Sequence, residues 1–148
     1  MEKMKDFIML DLNVSKKDEL LKLMGNHLYE KGFVSDNFVT SVIEREEKFP
    51  TGLPTAPYAV AIPHTDTDEV LKPAIVFANL QHEVNFKMMG DMDTEVEVKV
   101  VIMLALDNPE KQLGTLKKLT ALLQDQEKVS KLGNTKNEDE CAELIDIF

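Results

Sequence analysis

Apolar positions along the chain follow two periodicities. Leu20, Leu21, Met24 and Leu28 recur at helical spacing and predict a helix over about 16–31. Ser15 with Asp18 three residues on resembles a capping box at its start, and Gly32 can end it in the left-handed conformation. Ser35 or Asp36 is the expected cap of a second helix, which runs through Val39, Val42 and Ile43 to about Lys48. Strand patterns then take over. Phe7–Leu10 reads as a first strand, and Tyr58–Ile62 and Ala74–Leu80 are short apolar runs next to prolines, as in strands buried on both faces. Val84–Phe86 is a further short strand candidate, and Met88–Asp91 reads as a turn. From Glu95 the pattern alternates at Val96, Val98 and Val100, then becomes solidly apolar to Leu106, which describes a strand entering a sheet interior. Asp107-Asn108-Pro109 is a helix start with Pro109 suited to the first helical position. Leu113, Leu116, Leu119 and Leu123 carry that helix to about Gln124, and a short one follows before Gly133. A last helix from about Asn137 is expected to bury Cys141, Leu144, Ile145 and Phe148. Strands with helices on either side predict an α/β layered domain.

A length of 148 residues suits one domain spanning 1–148, and neither a repeat nor a linker divides it. The formal net charge of −10, without a basic block, argues against nucleic acid as a ligand. The single cysteine, Cys141, rules out an internal disulfide and a cysteine-based zinc site. No apolar run reaches the roughly 18–20 residues of a membrane span. Met1–Asp6 contains no apolar stretch of the signal-peptide kind. A cytoplasmic location without direct membrane insertion is therefore expected. There is no Gly-rich loop ending in Lys-Ser/Thr, so no nucleotide cofactor is expected.

Residues 45–64 concentrate the candidate chemistry. They leave a helix at Arg45, cross a Pro- and Gly-rich loop through Pro50-Thr51-Gly52, and enter the strand that stops at Pro63, with His64 immediately after it. Pro63 cannot donate to a sheet ladder, and it biases Ile62 towards extended backbone, so His64 is placed at the mouth of a sheet. A neutral imidazole is a competent nucleophile near pH 7 once its other ring nitrogen is held as a donor. Phosphoryl transfer asks the protein chiefly for positioning and charge stabilisation, and an arginine supplies planar, permanently charged donors for phosphate oxygens. The hydroxyls of Thr51 and Thr65 are candidate further donors, and Gly52 is a candidate for close backbone approach.

The chain resembles the cytoplasmic enzyme IIA components of the bacterial phosphoenolpyruvate-dependent sugar phosphotransferase system, of the mannitol/fructose type. The resemblance covers essentially the whole chain. It rests on Arg45-Glu46, Pro50-Thr51-Gly52-Leu53, Ala61-Ile62-Pro63-His64, the apolar strand to Leu106, and Gln112-Leu113 with Leu116, Leu119 and Leu123. The wording Pro-Thr-Gly-Leu-Pro-Thr followed by Ala-Val-Ala-Ile-Pro-His-Thr is most similar to the galactitol branch. The resemblance implies a mixed β-sheet flanked by helices on both faces. It also implies a relay in which His64 takes a phosphoryl group from the phosphocarrier protein HPr. His64 then passes it to a cysteine of enzyme IIB, which serves the membrane enzyme IIC. Arg45 is the arginine beside that histidine. Many relatives carry a second histidine at the start of the helix after the long strand, and here that position is Gln112, which can donate a hydrogen bond but cannot carry charge.

Other readings stand beside these. Arg45 could pair with Glu44, Glu46 or Glu47 on a solvated helix, where such pairs stabilise little. His27 reads as a structural or surface residue of an amphipathic helix, His82 as exposed in a turn, and Cys141 as a small apolar residue. Met88, Met89 and Met92 fit either packing or an adaptable docking surface. In an extended segment His64, Asp66 and Asp68 would share one side and offer a metal site for a hydrolase. A regulatory phosphohistidine module of the nitrogen type is the alternative within the family.

Overall fold

The computed structural model describes residues 7–145. Its strands are β1 (Ile8–Leu12), β2 (Gly52–Leu53), β3 (Ala59–Ala61), β4 (Ala74–Met88) and β5 (Asp91–Ala105). Its helices are α1 (Lys17–Glu30), α2 (Phe38–Lys48), α3 (Pro109–Leu122), α4 (Gln126–Asn134) and α5 (Glu138–Leu144). The sheet order is β1-β4-β2-β3-β5, and β4 also pairs with β5. β4–β5 and β2–β3 are antiparallel, whereas β1–β4, β2–β4 and β3–β5 are parallel.

The solidly apolar end of β5 is apolar because both of its faces are covered. Val101, Met103 and Ala105 join Val76 and Ala78 against Leu20, Met24, Leu28, Phe38 and Val42 of α1 and α2. Val100, Ile102 and Leu104 join Phe77 against residues of α3, α4 and α5, including Leu119, Val129, Leu132 and Cys141, and against Ile145 just past α5. The strand period of two thus feeds two cores, and the sheet is mixed with helices on both faces.

Several local expectations change. β4 runs unbroken through Gln81-His82-Glu83, so His82 is exposed on a strand and not in a turn. A register shift between Asn79 and Val84 absorbs the polar residues, and pairing with β5 resumes at Val84↔Val98. Val84–Phe86 is thus the second half of β4, and Met88–Asp91 is its turn, with Gly90 at φ 81. The capping box is not formed: Lys16 occupies the N-cap of α1 and makes no side-chain cap. Asn37, and not Ser35 or Asp36, is the N-cap of α2. The Ser35 hydroxyl instead bonds the Glu69 carboxylate, and Ser35 N–H donates to the Glu69 carbonyl at 2.8 Å. At the other end of α1 the expected stop holds. Gly32 has φ 80, its N–H reaches the Tyr29 carbonyl, and Phe33 N–H reaches that of Leu28. α3 opens as expected: Asn108 Oδ1 accepts from the N–H of Glu110 and Lys111, with Pro109 in the first turn. α4 continues through Gly133, where an added Cβ would lie 2.6 Å from the Tyr58 ring. Phe148 lies outside the described residues.

β2 carries no strand signal of its own, being two residues between prolines. It is held by β3 (Gly52↔Ala61, Leu53↔Val60) and by β4 at Met88. A Cβ on Gly52 would fall 2.6 Å from the Lys87 carbonyl oxygen and 2.7 Å from Val96 Cγ2, so the backbone itself would have to move. Gly52→Ala is expected to lose about 1–3 kcal/mol of stability in urea titration, the usual cost of overpacking. An unchanged midpoint would show that this approach is not tight.

Candidate active site

β3 is buried along its length and runs parallel to β5. Past its end the chain stays bound to its neighbours. Ile62 N–H donates to the Thr51 carbonyl at 3.4 Å, and the Pro63 carbonyl accepts from Leu104 N–H at 3.0 Å. Proline's missing donor therefore costs nothing here, since its acceptor alone is used, and His64 is the residue that leaves the sheet. Its ring is half-buried, with Nδ1 2.8 Å from the Ile62 carbonyl oxygen. A carbonyl only accepts, so the bond requires the proton on Nδ1 and leaves the lone pair on Nε2. Burial lowers the imidazole's pKa from its ordinary 6.5. The nearby Arg45 charge lowers it further, while the Ile62 carbonyl opposes both. His64 is thus mainly neutral at pH 7.

Arg45 lies in the last turn of α2. Its guanidinium stacks 4.7 Å from the Phe49 ring centroid, and Nη1 meets Asp66 Oδ1 at 3.5 Å. Its partner is thus across the fold and not a neighbouring glutamate of its own helix. Both groups of that pair are solvent-accessible, at 38% and 79%, so the contact holds the arginine loosely. Arg45 Nε is buried without a partner. From the opposite side, Gln112 in the first turns of α3 donates Nε2–H to the Thr65 carbonyl at 3.4 Å, while its Oε1 is buried and unpaired. Arg45 from α2 and Gln112 from α3 therefore converge on one segment, 62–66, which contains His64 and Thr65.

Two residues expected to contact phosphate are engaged within the protein. Thr51 is 2% exposed, and both of its donors are taken by Glu46: N–H to Oε2 at 2.7 Å and the hydroxyl to Oε1 at 2.8 Å. It has no donor left for a ligand. Gly52 permits close approach, but to the β4 backbone. The third, Thr65, is buried beside His64 with its carbonyl turned to Gln112. The His64/Asp66/Asp68 metal reading loses its geometry, because 67–69 form a 3-10 turn and Asp66 faces Arg45. Among the described residues no group of three or more His, Cys, Asp or Glu could hold a metal ion. His27 packs edge-on against Phe7 at 6.0 Å, and Cys141 is buried with its thiol pushed up to about 12 by burial.

Glu46 is the residue that sequence reasoning passed over. The spacing Phe38, Val42, Glu46 places it on the buried face of α2, and it is 3% exposed. Burial pushes its carboxyl up to about 7, against the Thr51 hydrogen bonds and the Lys17 charge, which pull it down.

A family model described as "Phosphoenolpyruvate-dependent sugar phosphotransferase system, EIIA 2" matches residues 3–147. The galactitol-specific EIIA component of Escherichia coli (strain K12) is 33% identical over 126 residues, covering 85% of this chain and 83% of that one. The crystal structure of the mannitol IIA of Escherichia coli superposes with a TM-score of 0.78 at 26% identity, covering 98% of this chain and 99% of that chain. An Escherichia coli complex of mannitol IIA with phosphorylated enzyme IIB contains a chain matched with a TM-score of 0.78 at 28% identity, over 95% and 94% of the two chains. Among the described residues no helix is long and apolar enough to cross a membrane.

A pH test follows from Glu46. Its folded pKa lies above its unfolded one, so between about 4.5 and about 7 the folded state binds more protons and stability falls as pH rises. The difference amounts to on the order of 3 kcal/mol. Chemical denaturation across that window should show this slope in the wild type and a flatter one in Glu46→Gln. Equal slopes would mean that Glu46 titrates normally.

Proposed function

The chain belongs to the EIIA 2 family of the phosphoenolpyruvate-dependent sugar phosphotransferase system, whose members are phosphotransferases, and on that premise we propose that its own phosphoryl carrier is Nε2 of His64. The observation that supports this most directly is the 2.8 Å contact of Nδ1 with the Ile62 carbonyl, which leaves Nε2 with its lone pair. In the forward step that lone pair attacks the phosphorus carried by HPr. The P–N bond to HPr breaks as the new one forms, and the electron pair returns to the donor's histidine. The His64 ring then carries substituents on both nitrogens and gains positive charge, which the Ile62 carbonyl dipole stabilises. Arg45 lies where its donors can leave Asp66 for the phosphoryl oxygens, and Gln112 supplies a neutral donor from α3. In the second step a cysteine thiolate of enzyme IIB attacks, the N–P bond breaks, and His64 returns to the neutral form. The IIB partner follows the mannitol IIA–IIB complex, and enzyme IIC is served only through IIB. Galactitol is the substrate class favoured, on the 33% identity to the galactitol-specific component.

Incubation with phosphoenolpyruvate, enzyme I and HPr should add one acid-labile, base-stable phosphoryl group. His64→Ala should abolish it, whereas His27→Ala and His82→Ala label normally. Because burial and the Arg45 charge lower the His64 pKa, the labelling rate should fall at a more acid pH than it would for an ordinary imidazole. Arg45→Lys keeps the charge but loses the fork, and transfer should slow by about 10²–10³, the usual effect of removing one transition-state donor. Gln112→Ala should cost less, since a neutral donor contributes less. Undiminished labelling of His64→Ala ends the assignment. Transfer onward to a IIB cysteine separates sugar transport from a purely regulatory role.

HPr and IIB must each reach the same nitrogen, so they should compete. Phe49 and Leu113 are 60% and 55% exposed, adjoin the phosphate-facing residues, and supply apolar contact for either partner. Shift changes from both proteins should coincide around His64–Thr67 and Gln112–Leu116. Simultaneous binding of the two at separate surfaces would refute the shared transfer point.

A further inference from the structure

We propose that Glu46 is a positioning residue for phosphoryl transfer. By clamping Thr51 it sets the Ile62 carbonyl, and so determines which ring nitrogen of His64 faces the donor. The proposal rests on His64 being the carrier, but its central measurement needs no transfer.

The path is a continuous series of hydrogen bonds. Glu46 takes both donors of Thr51, at 2.7 and 2.8 Å, so that residue is fixed at two points. The Thr51 carbonyl takes Ile62 N–H at 3.4 Å, and the Ile62 carbonyl takes Nδ1–H of His64 at 2.8 Å. The ladder between Thr51 and Ile62 is short, with only Gly52↔Ala61 and Leu53↔Val60 paired after it. A two-residue ladder holds its own start weakly, and its first bond is long. The clamp from α2 anchors it.

A buried carboxylate is an expensive anchor. Replacing a buried charge network by packed apolar residues is often neutral or stabilising, so stability alone is a poor reason for Glu46. What the carboxylate does that an apolar residue cannot is fix the direction of a backbone segment through two bonds to one residue. Direction matters here because the tautomer of His64 follows from where one carbonyl points. A displaced Ile62 carbonyl releases Nδ1, the proton redistributes to Nε2 in part of the molecules, and those molecules have no lone pair at the transfer position. Arg45 is the neighbour of Glu46 on the last turn of α2, so the same clamp also ties the helix carrying the guanidinium to the loop below the histidine.

Long-range proton–nitrogen spectra of the unphosphorylated protein, labelled at histidine and recorded at pH 7.5, read the His64 tautomer directly. The wild type should be in the Nδ1–H form. Glu46→Ala should shift a substantial fraction to Nε2–H and lower kcat for phosphoryl acceptance by ~10- to 100-fold, the scale of a misplaced reacting group, with KM for phosphorylated HPr within about twofold. Glu46→Gln can still accept from Thr51 N–H and donate to its hydroxyl, and should restore the Nδ1–H tautomer. If Glu46→Ala does not fold, Thr51→Val, which loses only the hydroxyl bond, should shift the tautomer in the same direction, and Thr51→Ser should not. Folded Glu46→Ala or Thr51→Val protein with the wild-type tautomer overturns the proposal, as does a shifted tautomer with unchanged kcat. Labelling that survives His64→Ala would instead overturn the carrier assignment, whatever the tautomer.

Discussion

The antiparallel pairing of β4 with β5 is the constraint from which the rest of this structure hangs. It runs from Ala74↔Ala105 to Asn79↔Val100, shifts register, and resumes at Val84↔Val98. These two strands supply apolar residues to both cores, so α1 and α2 on one face and α3 to α5 on the other pack against the same hairpin. Each fully buried large side chain contributes about 1.5–3 kcal/mol, and both helical layers bury theirs against this hairpin. β3 docks in parallel on the outer side of β5, and that docking fixes where His64 emerges.

The site is built at the point where this regular pairing ends. The backbone donors and acceptors of 62–63 are still used by Thr51 and Leu104, so the segment before His64 is as fixed as a strand although it is not one. Rigid support reaches the half-buried His64 in this way without burying it fully. Arg45 and Gln112 then approach from α2 and α3, which belong to opposite faces of the sheet. Past the end of β3, where 62–66 leave the sheet, side chains from both layers can meet, and this is why Arg45 and Gln112 come together there and not over either face.

Much of this was legible in the sequence because the dominant signals were physical and local. The helical spacing of Leu20 to Leu28, the solid run to Leu106 and the Asn108-Pro109 start each name one structure, and the structure has it. The misses share a cause: they depend on partners distant in sequence. Ser35 would cap a helix if left alone, but Glu69 takes its hydroxyl. Gln81-His82-Glu83 reads as a turn until β5 supplies a register shift to absorb it. Gly52-Leu53 is a strand only because β3 and β4 make it one. At the site, the Thr51 hydroxyl reads as a candidate phosphate donor, but in the structure it bonds Glu46, five residues upstream on the buried face of α2. The Phe38–Val42–Glu46 spacing carried that signal, and a carboxylate on an apolar stripe requires nearby donors.

The electrostatics of the site suit a carrier that must also release its cargo. Arg45 is the charged group whose field reaches His64, and Gln112 adds a donor without adding charge. A second fixed cation would stabilise the phosphorylated state as well as the transition state, and uniform stabilisation of that kind slows the onward step. The ion pair of Arg45 with Asp66 is a loose 3.5 Å contact, so on the proposed reading the guanidinium can leave it for a phosphoryl oxygen at little cost. The His64 segment is positioned separately, by the Nδ1 bond to the Ile62 carbonyl and the Leu104 N–H bond to the Pro63 carbonyl. Positioning and charge are thus separated: His64 is held firmly by backbone carbonyls and Arg45 loosely by Asp66, which is the division of labour that the proposed relay requires.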